Sequence, residues 1–92
     1  MILFLRAQDI WEIEIALIDV DEVSIAGVFE ARPDDFVHTL SRFISDSNVL
    51  FSAIDAVLVV EGPGSQTACH SALSLANVIG FSQNIPVWQV GF

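Results

Sequence analysis

Four branched apolar residues, Val57-Leu58-Val59-Val60, run directly into Glu61-Gly62-Pro63-Gly64-Ser65-Gln66-Thr67. No other stretch restricts the fold so strongly. Such a run suits a strand covered on both faces, as parallel strands are. Gly62 and Gly64 allow backbone angles that a Cβ forbids, and Pro63 fixes φ and removes a donor. Ser65 or Thr67 is then placed to cap a helix by accepting from its first free N–H groups. The pattern predicts a strand, a sharp turn, and a helix over about 65–79.

That helix has an unusual composition. Its polar positions form a narrow line at Ser71, Ser74 and Asn77, and Ala68, Cys69, Ala72, Leu73, Leu75, Ala76, Val78 and Ile79 cover the rest. A helix apolar on nearly all sides is expected to be buried on nearly all sides. Its own sheet covers one face, and the first helix or another chain must cover the other. Gly80 reads as its C′ residue.

The remaining elements follow from periodicity. Met1 to Leu5 reads as a first strand, with Arg6-Ala7-Gln8-Asp9 as a turn. Trp11 to Ile18 alternates, glutamates on one face and isoleucines on the other, as a half-exposed strand does. Asp19 to Glu22 is a polar turn, and Val23 to Glu30 a third strand. Arg32-Pro33-Asp34-Asp35 opens a helix, since proline is tolerated in the first turn and aspartates favour the positive end of the dipole. Phe36, Val37, Leu40, Phe43 and Ile44 then form one apolar stripe. Ala56 to Val60 is the fourth strand. Ile85 to Val90 is the fifth, with Pro86 at its start, where a lost donor matters least. The order is βββαβαβ: an α/β fold with a mixed five-stranded sheet and two helices, on at least one face of the sheet. Residues 1–92 read as a single unit without linker or repeat.

Composition narrows the function. The chain is 53% apolar and 16% charged, which is hydrophobic for 92 residues and points to a surface that meets a partner. Its net charge of −9, with three arginines and no lysine, excludes it as a direct binder of nucleic acid, because phosphates need cations to replace their counterions. No run reaches the roughly 18 apolar residues of a membrane span, and the first residues lack the basic segment of a signal peptide. The lone Cys69 fits a reducing compartment, so a cytoplasmic location is expected.

No catalytic set emerges from the residues. A glycine turn before a helix suits an anion, yet the lysine of a P-loop and the third glycine of a dinucleotide fingerprint are missing, and Glu61 repels phosphate. Cys69 and His70 are helix neighbours pointing about 100° apart, unfit as a nucleophile–base pair. With His38 they have no zinc spacing. Asp19, Asp21 and Glu22 lack the glycine and later glutamate of a calcium loop. Neither metal nor cofactor is expected.

The segment Asp55 to Thr67, together with Asn84-Ile85-Pro86-Val87, resembles the TsaB (YeaZ) family, accessory proteins of tRNA threonylcarbamoyladenosine biosynthesis related to TsaD. The family pattern is a strand, Gly-Pro-Gly-Ser-Phe-Thr-Gly-x-Arg-x-Gly, a small-residue helix, and Asn-Ile-Pro before the next strand. Gly62, Pro63, Gly64, Ser65, Thr67, Asn84, Ile85 and Pro86 match it. The resemblance implies a ribonuclease-H-like (actin-like ATPase) fold, of which this chain would be the N-terminal lobe. It departs where the family carries Asp-Thr-Ser, the actin-like phosphate loop: Arg6-Ala7-Gln8 stand there. Gln66, Ala68, His70 and Ala72 replace the family's Phe, Gly, Arg and second Gly.

The expectation is therefore a non-catalytic interaction module, not an enzyme, that forms a homodimer or a heterodimer with a TsaD-like protein through its two helices. Phe36, Thr39, Leu40, Phe43, Cys69, Ala72, Leu73 and Ala76 are the expected outer-face contacts. The alternative is a small nucleotide-binding or hydrolytic protein using the Gly62-Pro63-Gly64-Ser65 turn.

Overall fold

Strand alternation builds the sheet. The computed structural model describes residues 1–19, 22–61 and 64–91, and of Gln8 and Val23 the backbone alone. Strands β1 (Ile2–Asp9), β2 (Glu12–Asp19) and β3 (Glu22–Glu30) form an antiparallel meander. β4 (Ala56–Glu61) joins β1 in parallel, and β5 (Val87–Gly91) joins β4 in parallel. The order across the sheet is β3-β2-β1-β4-β5. Helix α1 (Phe36–Asp46) follows β3 through a 3-10 turn at Pro33–Asp35, and α2 (Gln66–Gln83) connects β4 to β5. The βββαβαβ order read from the sequence is the order of the fold.

Register places Leu3 opposite Leu17 and Val57, and Leu5 opposite Ile15 and Val59, so these residues share one face. All six are fully buried, in one cluster with Phe36, Leu40, Phe43 and Ile44 of α1 and Ala68, Ala72, Leu75, Ala76 and Ile79 of α2. Both helices therefore lie on this face. Phe43 also meets Phe29 of β3 edge-on at 5.6 Å, a favoured aromatic geometry. The opposite face carries Ile2, Phe4, Ile18 and Leu58, all half-buried, and Trp88 and Val90, which are exposed. No described helix covers it. On β4 itself Ala56 and Val60, on this face, are still buried among neighbouring side chains, so the strand is largely buried on both faces but has a helix layer on only one.

β5 begins at Val87, after Ile85-Pro86, and α1 at Phe36, after the 3-10 turn; two further boundaries differ from the sequence reading with a packing reason. β1 continues through Arg6-Ala7-Gln8 and turns only at Ile10-Trp11, where Asp9 Oδ1 accepts from the Trp11 N–H at 2.6 Å. Arg6 does not end the strand because it points to the open face, 4.0 Å from Glu14. α2 runs past Gly80 to Gln83 and ends on Asn84 in the left-handed region, φ 56°. Ile85 N–H donates to the Gly80 carbonyl at 3.0 Å and Asn84 N–H to that of Phe81 at 3.4 Å, the Schellman pairing. Gly80 is a packing residue instead of a cap: a Cβ there would collide with Val87 Cγ2 and stand 3.1 Å from the Ile85 carbonyl. At the other end Ser65 Oγ accepts from Ala68 N–H at 3.2 Å, making Ser65 the N-cap.

Candidate functional site

Two regions are open to chemistry or contact. The first is the edge where the parallel strands β1 and β4 end and α2 begins, the usual ligand position in open α/β sheets. Gly64, at φ 142°, leads into the cap residue Ser65. Gly62 and Pro63 lie outside the described residues. Ser65 spends its hydroxyl on the helix cap, and Thr67 is exposed. Glu61 ends β4.

Facing this turn, Ala7 of β1 is fully buried, and its carbonyl accepts from Cys69 Sγ at 3.3 Å. A buried methyl therefore occupies β1 at the stretch corresponding to the family's Asp-Thr-Ser. Cys69 is itself buried, with its thiol against β1, while His38 and His70 are exposed on different helices. Among the described residues no group of three or more His, Cys, Asp or Glu could hold a metal ion. No described helix is long and apolar enough to cross a membrane.

The second region is a groove of about 670 Å³ between α1 and α2. Phe36, Leu75 and Ile79 form its floor; Val37 and Ser41 rise on one side, and Ser71, Ser74 and Val78 on the other. Its only carboxylate is Asp34. Val37 and Val78 are 62% and 64% exposed, and Phe81, further along α2, is 91% exposed. Large exposed apolar residues are the usual candidates for contact surfaces in proteins.

The expected interface set is corrected by burial. Phe43, Cys69, Ala72 and Ala76 are at most 7% exposed within the chain's own core, and Phe36 and Leu40, 1% and 2% exposed, reach the surface only as the floor of the groove. Thr39 and Leu73 are half-buried. Periodicity shows that a helix has faces, but on a helix apolar nearly all round it does not show which face meets the sheet. Here the small residues Ala68, Ala72 and Ala76 let α2 approach its own strands closely. The outward residues that the sequence reading missed are Val37, counted in the core stripe although it lies about 100° from Phe36, and Phe81, beyond the helix end assigned to Gly80. Val78, grouped with residues needing cover, is the one the reading half-anticipated.

Known proteins agree with this architecture. Residues 34–91 match the family model described as TsaD: tRNA N6-adenosine threonylcarbamoyltransferase, which is more than half of the chain. No curated protein matches. YeaZ from Pseudomonas aeruginosa superposes with a TM-score of 0.82 at 19% identity, over 98% of this chain and 43% of its own. RuvC from Thermus thermophilus superposes at 0.66 with 16% identity, over 98% of this chain and 60% of its own. A second RuvC structure, in complex with a Holliday junction substrate, superposes at 0.60 with 15% identity, over 99% of this chain and 65% of that one. This chain thus spans less than half the length of YeaZ, and all these likenesses establish the ribonuclease-H-like fold. Taken with the sequence match over α1, β4, α2 and β5, they place the chain in the TsaD, or tRNA N6-adenosine threonylcarbamoyltransferase, family, with the fold of YeaZ (TsaB).

Proposed function

We propose that this chain is a non-catalytic, TsaB-like scaffold module of tRNA threonylcarbamoyladenosine modification, which docks a TsaD-like protein through the groove between α1 and α2. The observation that carries the reading is the pairing of that groove with the blunted strand end. At the strand end, β1 buries the Ala7 methyl, and its one carboxylate, Asp9, lies two residues further on and accepts from the Trp11 N–H in the β1–β2 turn. At the groove, Val37 and Val78 keep large apolar surfaces in water, as does Phe81 further along α2, at a cost of the order of 25 cal/mol per Å² that a partner recovers. Small serines, Ser41, Ser71 and Ser74, line the walls and let an opposing helix approach closely. The cytoplasm, where the single Cys69 stays reduced, is the compartment this role requires.

Light scattering of the chain mixed with a TsaD-like protein from the same cell tests the reading. A complex should form with the parent chain and be lost with Val78→Asp, which changes an exposed residue and leaves the fold intact. A parent chain that ignores the TsaD-like protein contradicts it. Calorimetry with ATP and magnesium should give no binding heat; a heat of binding would favour the nucleotide-binding alternative.

A further inference from the structure

Among the described residues the sheet ends on two unpaired edges, β3 and β5, and they differ in charge. β3 carries Glu22 and Glu30 at its ends, paired across from Asp19 and Glu12, and its ladder with β2 shifts register at Leu17/Ile18. Acidic residues and a register break are the devices that stop an edge from recruiting another strand. β5, Val87-Trp88-Gln89-Val90-Gly91, has neither. The contrast extends well beyond the strand. All 12 acidic and three basic residues lie at or before Glu61, and residues 62–92 contain no Asp, Glu, Lys or Arg. Two copies of a −9 chain repel each other over most of their surface. The uncharged α2–β5 side is where that repulsion is weakest.

We propose that the β5 edge pairs antiparallel with β5 of a second copy, joining two five-stranded sheets into one. Backbone geometry fixes the register. Val57 N–H donates to the Pro86 carbonyl at 3.0 Å, so in this parallel ladder the even residues of β5 bond to β4, while Val87, Gln89 and Gly91 direct N–H and C=O to the free edge. A two-fold axis through Gln89 pairs Val87 with Gly91 of the second copy and Gln89 with itself. All the outward residues then fall in hydrogen-bonded pairs. The same register sets Trp88 against Val90 of the second copy, twice, on the open face of the sheet, an aromatic–branched pair that stabilises antiparallel strands. In this chain Trp88 and Val90 are 50% and 44% exposed. The contact is isologous and closes at two copies. It shares no residue with the α1–α2 groove, so it stands independently of the docking role proposed above and leaves that groove free.

Sedimentation of the parent chain, of Gln89→Pro and of Val90→Glu tests the proposal. Gln89→Pro removes an outward N–H and no bond to β4, a position where an edge strand tolerates proline. Val90→Glu places a charge opposite Trp88 of the second copy. The parent should sediment at twice the chain mass, and both variants at half the parent's mass with unchanged circular dichroism. Amide exchange at Gln89 and Gly91 should slow as the concentration of the parent rises, while Trp88 and Val90 amides stay constant. A single-chain parent overturns the proposal, as does a Gln89→Pro variant that keeps the double mass. Loss of the dimer in Val78→Asp with its retention in Val90→Glu would also overturn it, placing the second copy on the helices.

Discussion

On the helix-covered face Leu3, Leu5, Ile13, Ile15, Leu17, Val57 and Val59 are fully buried, whereas their chain neighbours Ile2, Phe4, Ile18 and Leu58 on the other face keep contact with solvent. These apolar residues are of the same types on both sides, although the open face also carries Arg6, Glu12 and Glu14. What differs is the cover: α1 and α2 both pack on one face, because the crossovers from β3 to β4 and from β4 to β5 carry them there. An unbroken apolar strand such as Val57 to Val60 thus identifies a central parallel strand without revealing how many layers this chain supplies. The stability of the fold resides in the covered face.

Substitutions separate the two faces by size of effect. Ala72→Asp places an unpaired charge at a fully buried position between α2 and the sheet, at a cost of about 4 kcal/mol or more. Against the roughly 5–15 kcal/mol of a whole domain, it should abolish cooperative urea unfolding; a folded variant would show that α2 does not pack as described. Leu5→Ala, in the same layer, should lose about 2–5 kcal/mol, read as a lower urea midpoint. Gly80→Ala forces a Cβ against Val87 and the Ile85 carbonyl and should lose about 1–3 kcal/mol by overpacking. Ser65→Ala removes the oxygen that accepts from Ala68 N–H, for about 1 kcal/mol. Val28→Ser, on the open face and 59% exposed, should move the midpoint by no more than about 0.5 kcal/mol. A large effect there would mean that the open face is covered in solution.

Much of the fold was legible because local rules and tertiary packing agree. The order of elements along the chain, the amphipathic stripe of α1 and a hydroxyl cap at Ser65 or Thr67 all follow from spacing and hydrogen-bonding type. The boundaries that failed are those where tertiary contacts override a local signal. Arg6 looked like a turn because it is charged, but a strand with an open face holds an arginine without strain. Gly80 looked like a helix end, but it is the glycine that lets α2 pass Val87. The groove was only partly legible, since phasing α2 needs the sheet: Ala72 and Ala76 read equally well as contacts to another chain or to β1 and β4. The uncharged final third was plain in the residues all along. It gained meaning only when β5 proved to be a free edge.

The central claim is that a TsaD-like partner meets the α1–α2 groove instead of the open face of the sheet. The most direct measurement is an amide chemical-shift titration of the isotope-labelled chain with a TsaD-like protein from the same cell. The account predicts that shifts cluster at Val37, Ser41, Ser74, Val78 and Phe81. Shifts confined to Phe4, Leu58, Trp88 and Val90, or none at all, would contradict it.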